Sequence, residues 1–187
     1  IHASESFLSP KATPVSELFS VDAIRRIMKG YLYIAENGPE RWTDQAAEFM
    51  TASTFAGLAF CSAGCAAVHA LSYPLGGKYH IPHGESNQLV FAAVFRKYKE
   101  KQPVGKLNRF EELLAELLGV EREEALEKAF ALLDQIQARK PLKEFGVQEE
   151  ELRDFAKGVI AGQQRLLGNS YVQLTEDEMT EIYKAVY

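Results

Sequence analysis

Nowhere in this chain do Val, Ile, Thr and aromatic residues alternate with polar ones over the length of a strand, while apolar residues recur at helical spacing throughout. That pattern predicts an all-α architecture, one helical domain over residues 1–187. Leu18, Phe19, Ala23, Ile27 and Ile34 follow helical spacing up to Asn37-Gly38-Pro39, a clear stop signal. From Trp42 to Leu71 small apolar residues cover most of the circumference and no charge follows Glu48, which predicts a central helix packed on several sides. Pro74, Gly76, Gly77 and Pro82 predict a tight loop after it. Amphipathic helices are expected over 85–101, 107–118, 122–139 and 149–167. A last helix starts at Thr175, which stands at capping-box spacing from Glu178.

Composition narrows the function classes. With 26 acidic against 21 basic side chains the net charge is -5, which argues against nucleic acid as a partner, because phosphate binding needs a basic face. Two cysteines cannot form a disulfide framework, so a reducing, cytoplasmic compartment is expected. No apolar run reaches membrane-spanning length, and no basic-then-apolar signal layout opens the chain. The chain opens at Ile1, which reads as a processed N-terminus or as the back part of a longer protein. Cys61 and Cys65, four apart on the expected buried helix, read as packed thiols. Glu121–Glu124 and Glu149–Glu151 read as solvated first turns of helices, favoured by the macrodipole.

Chemistry concentrates in the histidines. Of the four, His69, His80 and His83 fall in or beside the Pro/Gly-rich segment; only His2 lies elsewhere. His69 lies near the end of the buried helix and His83 opens the next, so a helix-loop-helix that folds back can converge both imidazoles on one divalent metal. A helix start at His83 repels a cation, so an anionic ligand is needed nearby. Two imidazoles fall short of the four ligands of a closed site, and a buried, hydrogen-bonded structural role for them stays open.

The run His69-Ala70-Leu71-Ser72-Tyr73-Pro74-Leu75-Gly76-Gly77-Lys78-Tyr79-His80-Ile81-Pro82-His83-Gly84 resembles the signature loop of the iron-containing (group III) alcohol dehydrogenases. In that family the first and last His of the stretch are metal ligands, which implies His69 and His83. The opening Ile1-His2-Ala3-Ser4-Glu5 resembles the end of the family's Asp-x-x-x-His-Ala-x-Glu segment, which implies His2 as a third ligand and an Asp ligand upstream of Ile1. Arg139–Gly146, Gly162–Leu167 and Thr175–Tyr187 resemble one subgroup, the NAD-dependent 4-hydroxybutyrate dehydrogenases. The family fold is a Rossmann-like nucleotide-binding domain followed by an all-helical metal-binding domain, and this chain corresponds to the second.

The resemblance implies hydride transfer between NAD and a primary alcohol, with 4-hydroxybutyrate and succinate semialdehyde as the pair. A metal would serve as the Lewis acid that polarises the reacting oxygen. Fe(II) is the family's metal; Zn(II) suits the same ligand types. Where most of the family has His before Pro-Leu-Gly this chain has Tyr73, which carries over as a position on the nicotinamide side of the cleft and not as a proton shuttle. A substrate carboxylate needs a cation or several donors, for which Lys78, Tyr79 and His80 are the loop's candidates, with Gln164 and Arg165 further off. Implied partners are the hydroxy acid or aldehyde, the chain's own N-terminal nucleotide-binding domain, and further copies in a homo-oligomer. Alone, the helical half is expected to be inactive. The competing readings are a family member acting on another short-chain alcohol or diol, and a non-catalytic helical interaction domain.

Overall fold

The computed structural model describes residues 1–187 as ten α-helices and three short 3-10 turns, with no strand. A seven-residue helix, α1 (His2–Leu8), precedes α2 (Pro14–Asn37). Thr13 starts α2 with a capping box: its hydroxyl accepts from the Ser16 amide at 3.2 Å, and Ser16 Oγ accepts from the Thr13 amide at 2.9 Å. Gly38 ends α2 at φ 103°, a backbone angle closed to most side chains, and Pro39 follows it. The remaining helices are α3 (Ala46–Ala63), α4 (Ala67–Tyr79), α5 (His83–Lys101), α6 (Lys106–Leu118), α7 (Arg122–Ile136), α8 (Leu152–Gly162), α9 (Gln164–Leu167) and α10 (Glu176–Ala185). Sequence periodicity therefore locates α2, α5, α6 and α7 to within a few residues, and Thr175 caps α10 with the expected box.

Three expectations are corrected. The stretch Trp42–Leu71 is not one helix. Trp42 is exposed in a 3-10 turn (Pro39–Gln45), and α3 and α4 are separate helices meeting at a bend of 109° around Gly64-Cys65-Ala66. Only Ala52, Ala56, Ala59 and Ala63 of α3 are buried, so the lack of charge after Glu48 conceals one open face. The helix packed on nearly every side is α5, where each residue from Leu89 to Phe95 is buried. Second, Pro74, Gly76 and Gly77 do not form a loop: α4 continues through them to Tyr79. Each lowers helix propensity, but Ala67, Val68, Leu71 and Leu75 of the same helix are fully buried, and packing overrides a weak local preference. The turn comes later, at His80, whose left-handed φ of 55° ends α4. Third, the expected helix over 149–167 is split into a 3-10 turn (Glu149–Glu151), α8 and α9.

The packing pairs α2 with α3, α4 with α5, α6 with α7 and α8 with α10, around one continuous apolar cluster that runs from Ala3 to Tyr183. On α8 the buried positions Leu152, Phe155, Ala156 and Val159 follow one helical stripe. Tyr183 of α10 donates its hydroxyl proton to the Leu71 carbonyl of α4 at 2.6 Å, tying the C-terminal helix to the one that carries His69. No single helix is long and apolar enough to cross a membrane; α3 with its preceding turn and α4 pass that test only as a bent pair.

Candidate metal centre

Three elements far apart in sequence meet at one point. His2 is the first residue of α1, His69 lies in the first turn of α4 and His83 is the first residue of α5. One ring nitrogen from each lies within 4.8 Å of the other two. Ring centroids are 4.4 Å apart for His2 and His69, 5.2 Å for His69 and His83, and 5.9 Å for His2 and His83. Nitrogens sharing one ion are about 3 to 4 Å apart, so small side-chain adjustments bring the three within range.

Glu5, one turn beyond His2 and 1% exposed, determines how His69 is presented. Its carboxylate accepts from the Ala66 amide at 2.9 Å and the Val68 amide at 2.6 Å, two of the unpaired donors at the start of α4. Glu5 Oε2 also lies 2.5 Å from His69 Nδ1. A carboxylate only accepts, so this partner places a proton on Nδ1, and in the neutral ring Nε2 is then the free lone pair. That Nε2 is buried and has no hydrogen-bond partner. A buried orphan of this kind needs explaining, and a metal ion is one explanation.

Burial works against a charge on the other two rings. Burial, with His69 next to it, pushes the His2 imidazole down to about 3, and burial and His69 lower His83 as well. Neutral imidazole is the metal-binding form. Phe60 stacks on His2 with centroids 4.4 Å apart, and the Asn87 amide lies 3.2 Å from His83 Nε2. Glu85 in the first turn of α5 supplies negative charge where the helix start would otherwise disfavour a cation.

A cavity of about 340 Å³ opens beside His2 and His83. Ile24, Met28, Phe91, Phe110 and Phe130 contribute to its apolar wall, and no Lys, Arg, Asp or Glu lines it. The substrate-contact expectations land elsewhere. Lys78 and Tyr79 both bond the carboxylate of Glu151, which pins the end of α4 to the turn before α8. Glu151 is thus an ion-pair partner and not merely a solvated first-turn acid. His80 is exposed at its left-handed turn, and Gln164 bonds the Ile160 carbonyl at 2.5 Å. Neither these four nor Arg165 lines the cavity. Tyr73 stands one turn after His69 on α4 and is 40% exposed.

Cys61 and Cys65 do not share a helix: Cys61 is exposed on α3, while Cys65 is buried in the bend. Burial, with the Glu5 carboxylate nearby, pushes the Cys65 thiol up to about 12, so it stays protonated within 4.8 Å of Glu5 and His69. Residue-by-residue reading passed over Glu5 and Asn87. The available signal for Glu5 was an acid one helical turn after a histidine, followed directly by Ser6, Phe7 and Leu8.

The fold and the cluster define a helical domain in which three histidines from separate elements converge at one point. Comparison with known proteins agrees. The sequence model described as "Fe-containing alcohol dehydrogenase family, C-terminal" matches residues 1–187, and the chain belongs to that family. It is 45% identical over 187 residues to the 4-hydroxybutyrate dehydrogenase of Clostridium kluyveri, covering 100% of this chain and 50% of that protein. The crystal structure of a 1,3-propanediol oxidoreductase superposes with a TM-score of 0.80 at 27% identity, over 100% of this chain and 49% of that one. Sulfoacetaldehyde reductase from Bifidobacterium kashiwanohense, solved in complex with NAD+, superposes with a TM-score of 0.78 at 27% identity, over 99% of this chain and 47% of that one. The chain spans about half the length of the curated relatives it matches.

Proposed function

We propose that this chain is the metal-binding half of an NAD-dependent dehydrogenase that interconverts 4-hydroxybutyrate and succinate semialdehyde, with His2, His69 and His83 holding a divalent metal. The convergence of three imidazoles, one with a buried unpartnered Nε2, carries this reading. When bound, Fe(II) or Zn(II) supplies a Lewis acid at the alcohol or carbonyl oxygen. The chain's own residues do the positioning. Glu5 holds His69, Phe60 covers one face of His2, and the apolar cavity wall keeps water from the carbon chain of a substrate. Tyr73 shares the face of α4 that carries His69 and would line the nicotinamide side, with NAD held mainly by the nucleotide-binding domain. Identity to the Clostridium kluyveri enzyme supports the substrate, and the NAD+ complex of the reductase supports the cofactor. Free cysteines accord with a reducing cytoplasm.

One observation favours a second reading, an uncharged short-chain alcohol or diol as substrate: the cavity beside His2 and His83 offers no cation for a carboxylate. NAD-linked oxidation of 4-hydroxybutyrate and of 1,3-propanediol by the full-length protein separates the two. Turnover of the diol with none of the hydroxy acid would overturn the first. Full-length protein that contains no divalent metal, or that keeps full activity as His83→Ala, would overturn both.

A further inference from the structure

We propose that Glu5 is a positioning residue of the metal centre, a buried carboxylate that fixes the tautomer and aim of His69. The inference rests on the metal reading above. Glu5 has no Lys or Arg partner at 1% exposure, so its charge is tolerable only if other donors satisfy it. Three do, all from a four-residue span: the amides of Ala66 and Val68, and His69 Nδ1. Oε1 accepts from Val68 and Oε2 from Ala66 and His69, and the Nδ1 contact lets Glu5 act on the site through the imidazole.

The geometry couples two tasks on one short element. α1 brings in His2 and, one turn later, the group that directs His69, so docking α1 against the α3–α4 bend sets two of the three imidazoles together. The bend is itself braced, because Asn169 donates to the Cys65 carbonyl at 3.0 Å. An ordinary helix cap would need only an acceptor at this place. Holding the proton on Nδ1 needs an acceptor that cannot donate. In Glu5→Gln the amide oxygen can serve only one side: turned to Ala66 and His69 it sets the NH2 against Val68 N–H, and turned to Val68 it sets the amide hydrogens against His69 Nδ1, which favours moving the ring proton to Nε2 and blocking the lone pair.

The test uses full-length protein with selectively 15N-labelled histidine, the His69 signals being assigned by their loss in His69→Asn. Metal-free wild type is expected to show His69 protonated at Nδ1, and Glu5→Gln to show it protonated at Nε2. Co2+ titration followed by visible absorption is expected to weaken about 10- to 100-fold in Glu5→Gln at an unchanged fold, with partial recovery in Glu5→Asp. Wild-type His69 protonated at Nε2, or a folded Glu5→Gln with wild-type Co2+ affinity, would overturn the assignment. If Glu5→Gln does not fold, the wild-type tautomer alone decides. Wild type that takes up no Co2+ would overturn the metal reading instead, an outcome separable because the tautomer is read without metal.

Discussion

Gly64 is the residue on which the bend before His69 turns, and Gly64→Ala should be among the most damaging one-carbon additions in the domain. Its backbone stands at φ 79° and ψ 166°, a region occupied almost only by glycine, so alanine there stores about 1 to 3 kcal/mol of strain. A Cβ would also lie 2.3 Å from Asn169 Nδ2, and Asn169 is 2% exposed, so the amide must leave. Its hydrogen bond to the Cys65 carbonyl goes with it, and an unsatisfied buried acceptor costs about another 1 to 3 kcal/mol. Together these predict a loss of about 2 to 6 kcal/mol, or roughly 5 to 20 °C in the unfolding midpoint of a domain this size. Asn169→Ala alone should cost only the hydrogen-bond part. The double variant should lose less than the two single losses combined, because either change removes the same bond. Differential scanning calorimetry on the four proteins is the assay. A Gly64→Ala midpoint within 2 °C of wild type, or strict additivity, would refute the reasoning.

Three further outcomes are expected. Lys78 and Tyr79 hold the Glu151 carboxyl at about 2, below its ordinary 4.5. The folded pKa is the lower one, so this contribution to stability is complete above about 4.5 and fades as the pH falls toward about 2. Denaturant midpoints measured through that window should fall less steeply in Glu151→Gln, and parallel curves would count against the ion pair. In native protein at pH 8, maleimide should leave Cys65 unmodified, since its thiol stands near 12, and should label it once the chain is denatured; labelling of Cys65 under native conditions would contradict the buried placement. Tyr183→Phe should destabilise by about 0.5 to 1.5 kcal/mol by removing the bond to the Leu71 carbonyl, which keeps its helical partner, and an unchanged urea midpoint would show the bond to be dispensable.

The all-α class follows from the sequence because helix formation here is local. A stripe such as Leu152, Phe155, Ala156 and Val159, or a box such as Thr175 with Glu178, is complete within a turn or two of chain. His69 and His83 are marked by their flanks, and the family resemblance adds His2. What local reading cannot supply is how packing settles a conflict of propensities. Pro74, Gly76 and Gly77 read as a loop, yet α4 keeps them because its other faces are buried; the apolar run from Trp42 reads as one helix, yet Gly64 breaks it and turns the next helix through 109°. The roles of Glu5 and Lys78 were likewise decided only in three dimensions. One carboxylate meets the start of a helix more than sixty residues away, and the lysine meets Glu151 instead of the cavity. Helical periodicity is a property of neighbours along the chain, whereas the partner of a buried charge is chosen by whichever donors the finished fold brings within reach.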